Sequence, residues 1–128
     1  MRKEIAMGCA LKLNALVFDE IIFKRIGMHS DNELEISFSV SIGTNVSDED
    51  IKKVSVRISG EKREEYMFEI QASGFFSYDG DAEDTIIQQN AVAIVMPYIR
   101  SEVSLLTAQP GVDPVVLPPF NIAEMMGK

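Results

Sequence analysis

The chain is poor in the residues that most protein chemistry requires. Its 128 residues include one cysteine, Cys9, one histidine, His29, and no tryptophan. A single cysteine excludes an internal disulfide framework. His29 has no Cys or carboxylate at ligand spacing, so it reads as a surface turn residue rather than part of a zinc site. No Ser-His-Asp set can be assembled without it, and nothing places it beside a nucleophile. Phosphate-cradling loops are missing, since Gly80 and Gly111 stand alone in turn-like stretches. Asp79, Asp81, Glu83 and Asp84 gather acids but lack the spacing and closing Glu of a calcium loop. They read as a solvated loop whose charge suits a helix N-terminus. No apolar run approaches the ~20 residues that a bilayer helix needs. The expectation is therefore a protein that is not an enzyme and uses no metal or cofactor.

Positive charge is also scarce. Twelve Lys and Arg face twenty Asp and Glu, for a net charge of -8. That balance argues against nucleic acid, which needs clustered basic residues, and against an anionic membrane surface. It suits solubility, or docking with a basic partner. With 46% apolar residues the chain can bury a core, so one domain over residues 1–128 is expected. Arg2, Lys3 and the run Ile5–Ala10 loosely resemble a signal sequence, but Glu4 and Lys12 interrupt it. The expectation is a frayed segment 1–9 leading into the first strand, in the cytoplasm.

What is present is a set of clear periodicities. Residues 10–26 read as a long strand. Leu11, Leu13, Ala15 and Val17 share one parity that Ile21 and Phe23 continue, and apolar residues on the other parity suggest that both faces are covered. Residues 33–43 alternate strictly, with Leu34, Ile36, Phe38, Val40 and Ile42 against Glu33, Glu35, Ser37, Ser39 and Ser41. A third strand spans 51–59, with Val54, Val56 and Ile58 opposed to Ser55, Arg57 and Ser59. Gly60–Arg63 reads as a hairpin tip. A fourth strand spans 65–77, with Tyr66, Phe68, Ile70 and Ala72 on one side and a bulge or bend expected at Gly74.

Helical spacing then takes over. Asp84 or Thr85 can cap a helix N-terminus. Ile87, Asn90, Ala91, Ile94, Val95, Tyr98 and Ile99 come next, with Glu102, Val103 and Leu106 beyond Pro97. An interior proline predicts a kink near residues 93–96. Gln109-Pro110-Gly111 ends the helix, 112–119 is an extended linker, and Asn121 can cap a short final helix over 122–126. Strands followed by helices predict an α+β fold, a four-stranded antiparallel sheet with a long kinked helix and a short C-terminal helix on one face.

Three segments carry a family resemblance: Phe68–Ser77 (FEIQASGFFS), Pro97–Glu102 (PYIRSE) and Leu117–Asn121 (LPPFN). In this order, behind four strands, the chain resembles the SecB protein-export chaperones over nearly its full length. The resemblance implies a dimer of dimers, with helices between two eight-stranded sheets. It implies an ATP-independent holdase that keeps unfolded precursors export-competent and passes them to the SecA motor. It also implies an apolar client groove with the second strand as one wall, here Leu34, Ile36, Phe38 and Val40. Phe120, Ile122, Met125 and Met126 are expected along the same groove. The competing readings are ordinary core for the stripe, and last-turn packing or a subunit contact for the methionines. Seven methionines suit an adaptable surface.

For SecA docking, the resemblance points to Glu20, Met67 and Glu69 on the outer sheet face. Lys24 departs, since the family position is acidic. Phe68, Ile70 and Ala72 match positions at the family's subunit contacts, or plain sheet core. Family members also continue into a longer helix than the stretch up to Lys128, so the resemblance implies either a smaller client site or a narrower task here. Two other functions remain open: a SecB-like chaperone dedicated to the antitoxin of a toxin–antitoxin pair, and a structural or regulatory oligomeric module without holdase activity.

Overall fold

The computed structural model describes residues 10–45, 48–79 and 83–117. They form four strands and one helix: β1 (Ala10–Arg25), β2 (Leu34–Asn45), β3 (Asp48–Lys62), β4 (Tyr66–Asp79) and α1 (Asp84–Thr107). All strand pairs are antiparallel and the spatial order is β1-β4-β3-β2. Strands β2 to β4 succeed one another as hairpins, while β1 crosses the sheet end to lie beside β4, a Greek-key connection. The crossing loop is tied to the β3–β4 turn. Ile26 and Gly27 N–H donate to the Glu65 carbonyl at 2.8 and 3.1 Å, and Asn32 Nδ2 donates to the Arg63 carbonyl at 2.7 Å.

The core lies between one sheet face and α1. Val54, Val56 and Ile58 of β3 pair with Gly74, Ala72 and Ile70 of β4, and all six are buried. Against them α1 buries Ile87, Ala91, Val92, Val95, Met96, Ile99, Val103 and Thr107. Tyr98, expected on this stripe, is instead 48% exposed, because the buried face winds slowly round the helix. The helix runs through Pro97 as one element. Pro97 and Ala93 both lie on the exposed side, where water can serve the carbonyl that proline leaves unpaired. The N-cap is Glu83, not Asp84 or Thr85, and Asp84 pairs with Lys52 at 3.6 Å. The expected final helix over 122–126 lies outside the described residues.

The two interior glycines do other work than sequence suggests. Gly60 is not in the turn; β3 continues to Lys62 and the turn falls at residues 63–65. A Cβ at Gly60 would overlap the Phe68 ring on the neighbouring strand. Gly74 lies within an unbroken β4, where a Cβ would sit 2.6 Å from the Phe76 ring and 3.2 Å from Val95. Both are spaces that aromatic side chains fill.

The irregularity falls on β1 instead. Its pairing with β4 skips Asn14, between Leu13↔Phe76 and Ala15↔Phe75, and Asp19, between Phe18↔Ala72 and Glu20↔Gln71. Each extra residue is a bulge, and each flips the parity of the residues beyond it. Leu11 and Leu13, then Leu16 and Phe18, then Phe23 therefore all pack on the helix side. Ala15 and Val17 lie on the outer face, contrary to the single parity expected. The two bulges account for the inner-facing apolar residues on both parities of β1, while Ala15, Val17 and Ile22 lie on the outer face and are exposed rather than covered.

Candidate functional site

Two surfaces remain once the core is accounted for. The first is the apolar side of β2. Leu34, Ile36, Phe38, Val40 and Ile42 face the helix layer, opposite Lys62, Gly60, Ile58, Val56 and Val54. Because β2 is a sheet edge, nothing in the sheet covers their far flank. Leu34, Phe38, Val40 and Ile42 are half-buried and pack on the core, while Ile36 is 37% exposed. Ile36 is the most open of the five because its neighbour on β3 is Gly60, which has no side chain to pack against it. The stripe is thus partly core and partly an accessible apolar ledge. Phe120, Ile122, Met125 and Met126, expected on the opposite wall, lie outside the described residues.

The linker after α1 borders this helix layer. It turns at Gly111, whose φ is +77°, and returns beside the helix. Thr107 Oγ1 accepts the Val115 N–H at 2.8 Å, Ser104 Oγ donates to the Val115 carbonyl at 2.9 Å, and Arg100 Nε donates to the Leu117 carbonyl at 3.3 Å. Val112 and Leu117 are buried beneath it. A hollow of about 270 Å³ lies between Pro97, Arg100 and Ser104 on one side and Val116 and Leu117 on the other.

The second surface is the outer sheet face, where a charge-paired polar network lies beside the exposed Val17 and Ile22 of β1. Its hub is Arg57. One guanidinium nitrogen reaches Glu20 of β1 at 2.9 Å and Glu69 of β4 at 2.5 Å, and the other donates to Gln71 Oε1 at 2.7 Å. The bonds to Glu20 and then Glu69 hold the guanidinium further above its already high pKa. The bulge residue Asp19 extends the network: its carboxylate accepts from Ser73 Oγ at 2.5 Å and Gln71 Nε2 at 3.3 Å, and Ser73 meets Ser55 at 2.8 Å. Ser73 is fully buried. Among the described residues no buried side-chain N or O lacks a partner.

Of the expected docking residues, Glu20 and Glu69 are brought together, but on Arg57 rather than as free carboxylates. Met67 lies opposite Lys24 across the β1–β4 pair. It also lines a shallow dish of about 260 Å³ with Glu35, Ser37, Glu61 and Glu69. Phe68, Ile70 and Ala72 are fully buried within the sheet core. His29 is a turn residue 3.6 Å from Asp31 and 3.8 Å from Glu65. No cluster of three or more ligating His, Cys, Asp or Glu occurs among the described residues. No helix among them is long and apolar enough to cross a membrane.

Two features were not anticipated from sequence. Arg57 was visible as an outward residue, but its partners come from strands whose order is not local information. The outward side of α1 is also apolar: Ile86, Tyr98 and Leu105 are exposed, Leu105 by 69%, and Val116 of the linker is exposed as well. The available signal was charge, since Arg100 and Glu102 are the only charged residues of the helix after Asp84. Exposed apolar side chains of this size gathered on one helix side mark a surface suited to interaction.

A sheet backed by one helix, with an apolar edge and a paired polar back, belongs to the α+β class. Residues 15–127 match the family model described as "Preprotein translocase subunit SecB". The chain belongs to the SecB family. It is 32% identical to the uncharacterized protein MJ0357 of Methanocaldococcus jannaschii over 130 residues, covering 92% of this chain and 83% of that one. Its fold is similar to that of the Mycobacterium tuberculosis Rv1957 SecB-like chaperone, solved with a ChAD peptide from the Rv1956 HigA1 antitoxin. There the TM-score is 0.69 at 13% identity, over 84% of this chain and 86% of that one. A Streptococcus agalactiae protein of unknown function matches with a TM-score of 0.61 at 11% identity, over 88% and 98% of the two chains.

Proposed function

We propose that this chain is an ATP-independent holdase that takes extended polypeptide along the apolar ledge of β2. Leu34, Ile36, Phe38 and Val40 form one wall. Phe120, Ile122, Met125 and Met126, outside the described residues, are proposed as further client contacts. The carrying observation is the ledge itself: a strand at the sheet edge among the described residues, with a row of half-open apolar side chains at two-residue spacing. An extended client can match that spacing with main-chain bonds while its alternate side chains seek apolar contact. Membership of the SecB family supports the reading, as does a structural neighbour solved with an antitoxin peptide.

Two finer forms of the reading differ in the fate of a captured client. In one, the client is passed to SecA through Glu20, Met67 and Glu69. In the other, the chaperone protects a dedicated client such as an antitoxin. We favour client protection, because Arg57 already engages both glutamates. The apolar outward side of α1 supports a homo-oligomer, arranged as a dimer of dimers, in which another copy covers Ile86, Tyr98 and Leu105.

The test is suppression of client aggregation at stoichiometric amounts. Wild type is expected to slow aggregation of several chemically unfolded chains. Ile36→Glu, placed at the most open point of the ledge, is expected to lose most of that effect while keeping its fold by circular dichroism. Wild type that protects no client would move the function to a structural or regulatory module on the same fold.

A further inference from the structure

We propose that Arg57 acts as an internal occupant of the outer sheet face, filling the cation position between Glu20 and Glu69 and thereby setting that face against cationic partners. The argument is geometric. Two carboxylates from different strands converge on one guanidinium nitrogen at 2.9 and 2.5 Å, and the other nitrogen is committed to Gln71. A lysine or arginine from a partner would have to displace a group that is already in place and tethered to the same sheet. An intramolecular cation competes at high effective concentration, so a free one of equal strength binds weakly against it.

The surroundings hold Arg57 in position. Gln71, which accepts from Arg57, donates to Asp19, and Asp19 is the bulge residue that also takes the Ser73 hydroxyl. Arg57 is thus one member of a satisfied network over β3, β4 and β1 rather than a free surface side chain. Bridging two carboxylates while serving an amide suits a guanidinium fork better than a single ammonium. Lys53 provides the comparison on the same face: it lies over the Phe75 ring at 5.8 Å, a contact that occupies no carboxylate.

The inference concerns the outer face alone and does not depend on the client ledge, so client aggregation assays on the same variants report on the two separately. The probe is a fluorescent oligolysine peptide, titrated with the full chain at low salt and read by anisotropy. Arg57→Gln is expected to bind it about 10-fold more tightly than wild type, because a charge that opposed the partner is gone and two carboxylates are uncovered. Lys53→Gln makes the same change in net charge and is expected to stay within about 2-fold of wild type. Adding Glu69→Gln to Arg57→Gln is expected to remove most of the gain. Arg57→Lys keeps the charge but loses the fork, and is expected to fall between wild type and Arg57→Gln; it carries the test if Arg57→Gln is poorly folded. Equal gains in Arg57→Gln and Lys53→Gln would overturn the proposal by reducing the effect to net charge. So would wild-type binding as tight as that of Arg57→Gln.

Discussion

Phe68 and Glu69 are adjacent on β4 and occupy opposite environments. Phe68 is fully buried against Gly60 and the helix layer, whereas Glu69 is on the outer face, salt-bridged to Arg57. The same division runs along β3, where Ile58 is buried and Arg57 and Ser59 are not. The inner face is held by packing, which depends on shape and tolerates little change of volume. The outer face is held by directed polar contacts, which contribute modestly to stability and more to what the surface can bind. One sheet therefore has two kinds of face: over β3 and β4 its inner side is held by close packing, and its outer side by directed polar contacts.

That contrast can be broken most forcefully from inside. Phe68→Ala removes a fully buried ring that packs into the space left by Gly60. A loss of about 3–5 kcal/mol is expected by urea unfolding, while the adjacent Glu69→Gln should cost less than about 1 kcal/mol. Equal losses would mean that the outer network stabilises the sheet as much as the core does. A smaller effect sharpens the same point. Gly60→Ala forces a methyl group into the Phe68 ring and should destabilise by about 1–3 kcal/mol. Its neighbour Ser59→Ala, on the other face, should stay within about 0.5 kcal/mol.

The smallest effect is one of pH, at the sheet end where the inner/outer rule fails. Glu65 is a buried carboxylate that accepts the Ser30 N–H at 3.0 Å and pairs with Lys62 at 3.0 Å. The Ser30 bond, aided by Lys62, holds its pKa below the ordinary value of 4.5. Ionised Glu65 is thus favoured in the folded state. Its contribution is complete above the unfolded value and is lost as pH falls through the lower folded value. The urea midpoint of wild type should therefore drop more steeply than that of Glu65→Gln as pH falls below 4.5. Parallel slopes would show that the carboxylate is not preferentially ionised in the fold.

The strands, the helix and their succession along the chain were legible because they rest on local pattern. The clean alternation from Leu34 to Ile42 marks β2 and its inner face directly. The faces of β1 were not legible, since parity is only as good as the absence of bulges, and nothing local marks Asn14 or Asp19 as extra residues. Gly60 and Gly74 looked like turn and bend signals because their actual role, making room for rings, appears only when strands are paired. Leu34, Ile36, Phe38, Val40 and Ile42 share one face of β2, as alternation alone decides. The state of Glu20 and Glu69 could not be read, because both depend on β1, β4 and β3 lying side by side.

The longest of the described strands, β1, lies at a sheet edge. A flat edge of that length would invite stray strands to add to it and start a cross-β stack. The bulges at Asn14 and Asp19 divide the regular ladder of β1 into Ala10–Leu13, Ala15–Phe18 and Glu20–Arg25. Each bulge bends and twists the edge away from the straight run that such growth copies. The irregularity that obscured β1 in the sequence is also what makes it a poor seed for amyloid.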